Sequence, residues 1–247
     1  MGIQIEFNDN NYLSDSIING RIVKKFFKTL STNIFTNALE YNRKHQEYSG
    51  SGDNPLLYKE RNIYSLLAKS IDQITPIHLS EWGFSKNDND TLGNNRRVDF
   101  WCMHKESESS KPINFYVELK SGWYSLNKRS KINISKSVTD SIMSLTKQLR
   151  ILRRLKPNFN DFDDIYLGMF IFYGYYRNDE HYSSADLHHE FHKVADKRTI
   201  KNHLISTWTL PDDLPIQWEH DKCRFISIVG IPISKQRANK QMPPTPT

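Results

Sequence analysis

Residues 115–122 read Phe115-Tyr116-Val117-Glu118-Leu119-Lys120-Ser121-Gly122. Side chains alternate between the two faces of a strand. That alternation puts Phe115, Val117 and Leu119 on one face, which must be the core. Glu118 and Lys120 share the other. Upstream, Arg97-Val98-Asp99-Phe100-Trp101 is a second strand, with Val98 and Phe100 pointing one way and Asp99 and Trp101 the other. A polar stretch at 106–111 joins the two as a hairpin. With the turn centred between Glu108 and Ser109, Asp99 falls opposite Glu118. Opposed residues have Cβ atoms about 4.5–5.5 Å apart. Two carboxylates at that spacing repel unless a cation lies between them. Hard oxygen donors suit Mg²⁺ or Mn²⁺. Lys120, two residues on and on the same face, can position a water or neutralise charge on a reacting phosphate. The alternative is a surface ion cluster on an amphipathic hairpin.

Outward from this hairpin, residues 55–74 read as a helix entered through Asn54-Pro55, an N-cap followed by proline at the first helical position. Its apolar stripe is Leu56, Ile63, Leu67, Ile71 and Ile74, and a further strand fits within 77–84. Residues 85–95 are polar and read as a loop. Residues 134–155 form an amphipathic helix on Val138, Ile142, Leu145, Leu149 and Leu152. Residues 164–176 read as a buried strand, 185–206 as a helix and 224–229 as a last strand. Before all of these, 15–48 is helical, with polar residues 29–33 able to divide it in two. The loop Ser49-Gly50-Ser51-Gly52-Asp53-Asn54 follows. The expected organisation is an α/β protein: an N-terminal helical segment (1–52), a core domain (53–234) and a disordered tail (235–247).

This pattern resembles the PD-(D/E)xK nuclease superfamily, the restriction-endonuclease-like fold. The residues that carry the resemblance are Val98-Asp99-Phe100 and Val117-Glu118-Leu119-Lys120-Ser121-Gly122. The family core runs helix, three strands, helix, strand, and the likeness covers roughly residues 55–176. Val98 replaces the proline that names the motif. The resemblance implies a mixed central sheet flanked by helices. It implies metal binding by Asp99 and Glu118, water positioning by Lys120, and a further acidic ligand from the first helix. Glu60 is the candidate, on the apolar stripe where a carboxylate is otherwise costly. Its alternative reading is a carboxylate placed for the helix dipole. The resemblance also implies a polar residue approaching from the second helix, Gln148 or Lys147.

The net charge of +6 suits a polyanionic partner. Arg150, Arg153, Arg154 and Lys156 could track phosphates, or simply be a solvated helix end. Tyr173, Tyr175, Tyr176 and Tyr182 could stack bases, though strand packing is the simpler account. His188, His189 and His192 sit on one helix, but His189-Glu190-Phe191-His192 is one residue short of HExxH. A solvated helix face accounts for them. Two cysteines, Cys102 and Cys223, exclude a disulfide framework and a cysteine-rich zinc site. No Gly-rich phosphate loop and no Gly-x-Ser-x-Gly elbow is present. No signal peptide and no membrane span is expected, and the location expected is cytoplasmic. The functional expectation is a Mg²⁺- or Mn²⁺-dependent endonuclease acting on double-stranded DNA, with a homodimer as one arrangement. A non-catalytic nucleic-acid-binding module on the same fold is the alternative.

Overall fold

The computed structural model describes residues 4–8, 17, 19–84, 96–125, 134–155, 162–177, 182–197, 200, 202–210, 217–218 and 221–234. The elements, in chain order, are β1 (Gln4–Asn8), α1 (Gly20–Ser49), α2 (Glu60–Asp72), β2 (His78–Phe84), β3 (Arg96–His104), β4 (Ile113–Ser125), α3 (Ile134–Leu155), β5 (Asp163–Arg177), α4 (Ser184–Lys197), β6 (Leu204–Thr209), β7 (Gln217–Trp218) and β8 (Asp221–Ser234). Seven strands form one sheet in the order β1-β6-β8-β5-β4-β3-β2, and β7 adds to β8. Among the described strands only β4 and β5 run parallel, with α3 as the crossover between them. All other pairs are antiparallel.

Helices cover both faces of this sheet. Phe26, Phe27, Leu30 and Ile34 of α1 and Ile63, Leu67 and Ile71 of α2 pack with Phe115, Val117 and Leu119 of β4. On the opposite face, α3 sends Val138, Ile142 and Leu145 against Phe170 and Phe172, and Leu149 and Leu152 against Tyr116 and Tyr166. The centre of the sheet is therefore apolar on both sides, as parallel strands require. Two glycines set how close the helices come. A Cβ on Gly168 would lie 2.8 Å from Leu145, and one on Gly230 would lie 2.6 Å from Phe27.

Several expectations are corrected. Residues 29–33 do not divide α1, which runs unbroken through them. The polar side chains there are absorbed: Ser31 Oγ donates to the Lys28 carbonyl at 3.1 Å, and Asn33 Nδ2 to the Ser70 carbonyl at 3.2 Å. α1 shares one core with the sheet, so the helix before residue 53 is an integral layer of the fold. Asn54 does cap, its Oδ1 accepting from Leu56 N at 3.0 Å. What it caps is a 3₁₀ turn (Pro55–Leu57), and the helix proper starts afresh at Glu60. Residues 204–206, expected in the helix begun at 185, belong to β6, whose Leu-Ile-Ser-Thr-Trp-Thr run has the branched and aromatic residues strands favour. The short strand β1 was not anticipated. The polar stretch 85–95, Lys156 and the tail after 234 lie outside the described residues.

The face alternation assigned to β3 also fails at one point, and there the site is built. Val98 packs with Tyr116 on the α3 side, whereas Phe100 belongs to the core under α1 and α2. Two residues apart on a regular strand, they would share a face. The neighbouring strand compensates. Ser80 pairs with Phe100 and Trp82 with Val98, while Glu81 and Asp99 between them form no pair in the register. Glu81 has φ 53°, left-handed for a residue that is not glycine. Each strand thus spends one residue outside the ladder. The register is kept and both strands exchange faces.

Candidate active site

The hairpin centre predicted from sequence is correct. Phe100 pairs with Val117, and each further pair to His104 with Ile113 keeps that register. One more step would set Asp99 opposite Glu118, but the registered ladder stops at Phe100. The Asp99 side chain bridges the opening instead: its Oδ2 accepts from the Leu119 N–H at 2.7 Å. Its Oδ1 accepts from the Tyr64 hydroxyl of α2. Both carboxylate oxygens are thereby held in place.

Glu60, first residue of α2, reaches the same spot. Lys120 Nζ lies 3.3 Å from Glu60 Oε1 and 3.6 Å from Glu118 Oε1, and donates to the Leu119 carbonyl at 3.0 Å. Glu60, Asp99, Glu118 and Lys120 thus converge from one helix and two strands. Glu60 stands in the first turn, where the dipole favours it, and its side chain also turns into the cluster.

The electrostatics are unbalanced, with three carboxylates facing one ammonium. Burial pushes the Glu118 carboxyl up to about 7, with the Asp99 charge adding to the rise and Lys120 opposing it. Asp99 is raised by burial against the pull of its Tyr64 and Leu119 donors. Glu60 is raised by burial against the Lys120 charge. Burial, and then the bond to Asp99, pushes the Tyr64 hydroxyl far up, so it remains a donor at any ordinary pH. Among the described residues, no three histidine, cysteine or acidic groups already stand together as metal ligands do. Lys120 supplies the counter-charge between Glu60 and Glu118.

The donor set fits a hard divalent cation, because it is all oxygen and holds more negative charge than Lys120 neutralises. Gln148 lies on α3 among Leu145, Leu149 and Leu152; Leu145 and Leu149 cover Gly168, the residue paired with Glu118. Its Oε1 is buried without a hydrogen-bond partner. An orphaned acceptor of that kind carries a cost of about 1–3 kcal/mol unless a water or ligand meets it. Lys147, its neighbour, is exposed.

Two contributors escaped the sequence reading. Tyr64 was legible in principle, since it lies four residues after Glu60 and so on the same helix face. Glu81 was not: it raises the Asp99 carboxyl through its charge and pairs with Arg97 at 3.2 Å, but only the doubled irregularity in β2 and β3 brings it there. Other candidates fall away from the cluster. Tyr173 and Tyr176 are buried, which removes them as stacking surfaces and leaves the packing account. Arg150 and Arg154 are exposed, and Arg153 donates to the Ser234 carbonyl at 3.4 Å. The histidines are not one solvated face. His189 is exposed, but His188 is buried with Nε2 2.6 Å from Thr207 Oγ1, and His192 Nδ1 lies 3.2 Å from Nε2 of the buried His203. Both cysteines are buried and free, and among the described residues no helix is long and apolar enough to cross a membrane. No protein-family model, no curated protein and no solved structure matches the chain.

Proposed function

We propose that the chain is a divalent-metal-dependent phosphodiester hydrolase acting on nucleic acid, with DNA as the favoured substrate and internal cleavage as the favoured mode. The observation that carries this reading is the meeting of Glu60, Asp99 and Glu118 with Lys120 where β3 parts from β4. Asp99 and Glu118, joined by Glu60, would hold Mg²⁺ or Mn²⁺. A divalent ion in such a place polarises the phosphodiester and makes a bound water acidic enough to attack.

The residues of the chain do the rest. Tyr64 and the Leu119 N–H fix the Asp99 carboxylate, so no reorganisation is needed there. Burial raises the Glu118 carboxyl to about 7, and a cation held beside it would draw it back toward the anion. Lys120 exchanges its carboxylate partners for the attacking water or the charged phosphate oxygens, an electrostatic role whose removal typically costs about 10²–10³ in rate. The positive net charge of the chain favours encounter with a polyanion.

The test is cleavage of supercoiled and linear DNA with Mg²⁺ or Mn²⁺ present or chelated. Cleavage is expected only with the metal, and is lost in Glu118→Ala and Lys120→Ala. Equal activity in those two variants would remove the assignment. One observation favours the second reading, a binder without activity: Lys120 already neutralises part of the acidic cluster. That reading predicts salt-sensitive DNA binding and no cleavage under any divalent metal.

A further inference from the structure

The fork between β3 and β4 holds Glu60, Asp99 and Glu118 against Lys120. Glu81 adds a fourth acidic charge beside it, which raises both the Asp99 carboxyl and the Tyr64 hydroxyl. Lys120 and one divalent ion would only balance the first three carboxylates. A nucleic-acid strand brings further negative charge, one for each phosphate, to a place already lined with acid. Holding it there takes cations outside the cluster.

Two arginines stand on the rim. Arg61 directly follows Glu60 on α2 and lies three residues before Tyr64, so on the helix surface it neighbours the residue that donates to Asp99. It is exposed, and its charge favours the anion of Glu60. Arg97 lies two residues before Asp99 on β3. Val98, between them, points to the α3 side, so Arg97 lies on the α2 side of the sheet, where Glu60 and Tyr64 also are. Its ladder partner is Gly83, where even an added Cβ would meet nothing within 4 Å. The Arg97 side chain is 62% exposed and pairs with Glu81 Oε2 at 3.2 Å. An ion pair so open to water is worth about 0–1 kcal/mol and is readily exchanged for another anion. Lys69, on the same helix as Arg61, is placed differently: it sits 2.9 Å from Glu40 of α1.

Both residues carry a planar fork of donors that matches two oxygens of one phosphate. We propose that Arg61 and Arg97 are the substrate-positioning residues of this site, each holding a phosphate next to the one at the carboxylate cluster, Arg61 from α2 and Arg97 from β3. The proposal rests on the nuclease reading for the identity of the anion as a nucleic-acid strand. Arg97 takes its phosphate in exchange for Glu81. The two contacts act on binding and orientation, and the chemistry stays with the cluster.

The experiment has two arms, both on the full chain. In the first, fluorescence anisotropy follows a labelled mixed-sequence DNA duplex over a range of salt concentrations, with Ca²⁺ in place of Mg²⁺. Arg61→Ala and Arg97→Ala each weaken binding about fivefold or more. Each also lowers the slope of log affinity against log salt by about one, as the loss of one phosphate contact does. Arg61→Lys and Arg97→Lys keep the slope, which tells lost charge from a lost fold. Arg97→Ala combined with Glu81→Gln stays weak. Parent affinity in that double variant would mean that Arg97 only screens Glu81, and would overturn its part. In the second arm, Arg61→Ala and Arg97→Ala cut supercoiled DNA in Mg²⁺ with KM raised about fivefold or more and kcat within about threefold, as loss of uniform binding requires. Parent-like affinity and slope, or a lowered kcat at unchanged KM, overturns the proposal. The two readings fail separately. Arginine-dependent binding with no metal-dependent cutting removes the nuclease, cutting with indifferent arginines removes the contacts, and a parent chain that does not bind the duplex removes both.

Discussion

Two of the buried polar clusters among the described residues are built differently. One is the carboxylate cluster at Asp99 and Glu118. The other lies between α4 and the β6–β8 edge of the sheet. There His188 Nε2 meets Thr207 Oγ1 at 2.6 Å, and that oxygen meets Ser227 Oγ at 2.7 Å. Beside it, His192 contacts His203, whose Nδ1 faces the Ile200 carbonyl at 3.2 Å. In the second cluster every named group is a neutral hydroxyl or an imidazole, and each meets a partner. In the first, three carboxylates share one ammonium. Burying polar groups is common and stabilising when their hydrogen bonds are made. Burial that leaves charge uncompensated is what makes the first cluster the candidate site.

The comparison would break first on activity. Glu118→Ala and Lys120→Ala should each lower metal-dependent DNA cleavage by about 10²–10⁴-fold. His188→Gln and His192→Gln should leave it within about threefold, measured as initial rates on plasmid. A large loss in the histidine variants with the fold intact would reverse the ranking of the clusters.

Stability should follow with opposite signs. Glu118 titrates near 7 in the folded chain and in the ordinary carboxylate range when unfolded. Its contribution is fully present below the unfolded value and is lost as pH rises through about 7. A shift of that size corresponds to roughly 3 kcal/mol at most. In EDTA, Glu118→Gln should therefore raise Tm at pH 8 and leave it nearly unchanged at pH 4. In the parent chain, Mg²⁺ should raise Tm at pH 8 by mass action on the folded state. His188→Ala should destabilise by about 1–3 kcal/mol at pH 8, because it removes the buried hydrogen bond to Thr207 and leaves a cavity under α4. Thermal melts at the two pH values check all of these.

The smallest expected effect is at Tyr64. Tyr64→Phe removes the donor to Asp99 Oδ1 and little else, and the Mg²⁺ concentration for half-maximal cleavage should rise roughly tenfold. No rise would mean that the Leu119 N–H alone fixes the carboxylate.

The sequence was informative where local rules act. The α3 stripe at Val138, Ile142, Leu145, Leu149 and Leu152 is buried throughout, as its spacing requires. The hairpin centre followed from counting, because the turn and both strands are continuous in sequence. The residues Glu60, Asp99, Glu118 and Lys120 do come together. What escaped is what depends on distant parts of the chain. β6 is a strand because β8 and β1 flank it, and nothing within 204–209 excludes a helix by period. Glu118 was placed on the face away from the core, yet α3 covers that face and leaves the residue 5% exposed. The exchange of faces at Asp99 needs Glu81 to slip in concert, and a single strand carries no sign of its neighbour's irregularity.

That paired irregularity has a consequence for how such a site could arise or be lost. Delete Asp99 from β3 and Glu81 from β2, and Val98 becomes adjacent to Phe100, and Ser80 to Trp82. Neighbours on a strand point to opposite faces, which is how Val98 and Phe100 already lie. A plain sheet would result with every other side chain where it now is. In genetic terms Asp99 and Glu81 are two residues added to an ordinary sheet edge, one in each strand, beside Glu60, Glu118 and Lys120. A lineage could gain or discard the chemistry by paired insertion or deletion without redesigning the core.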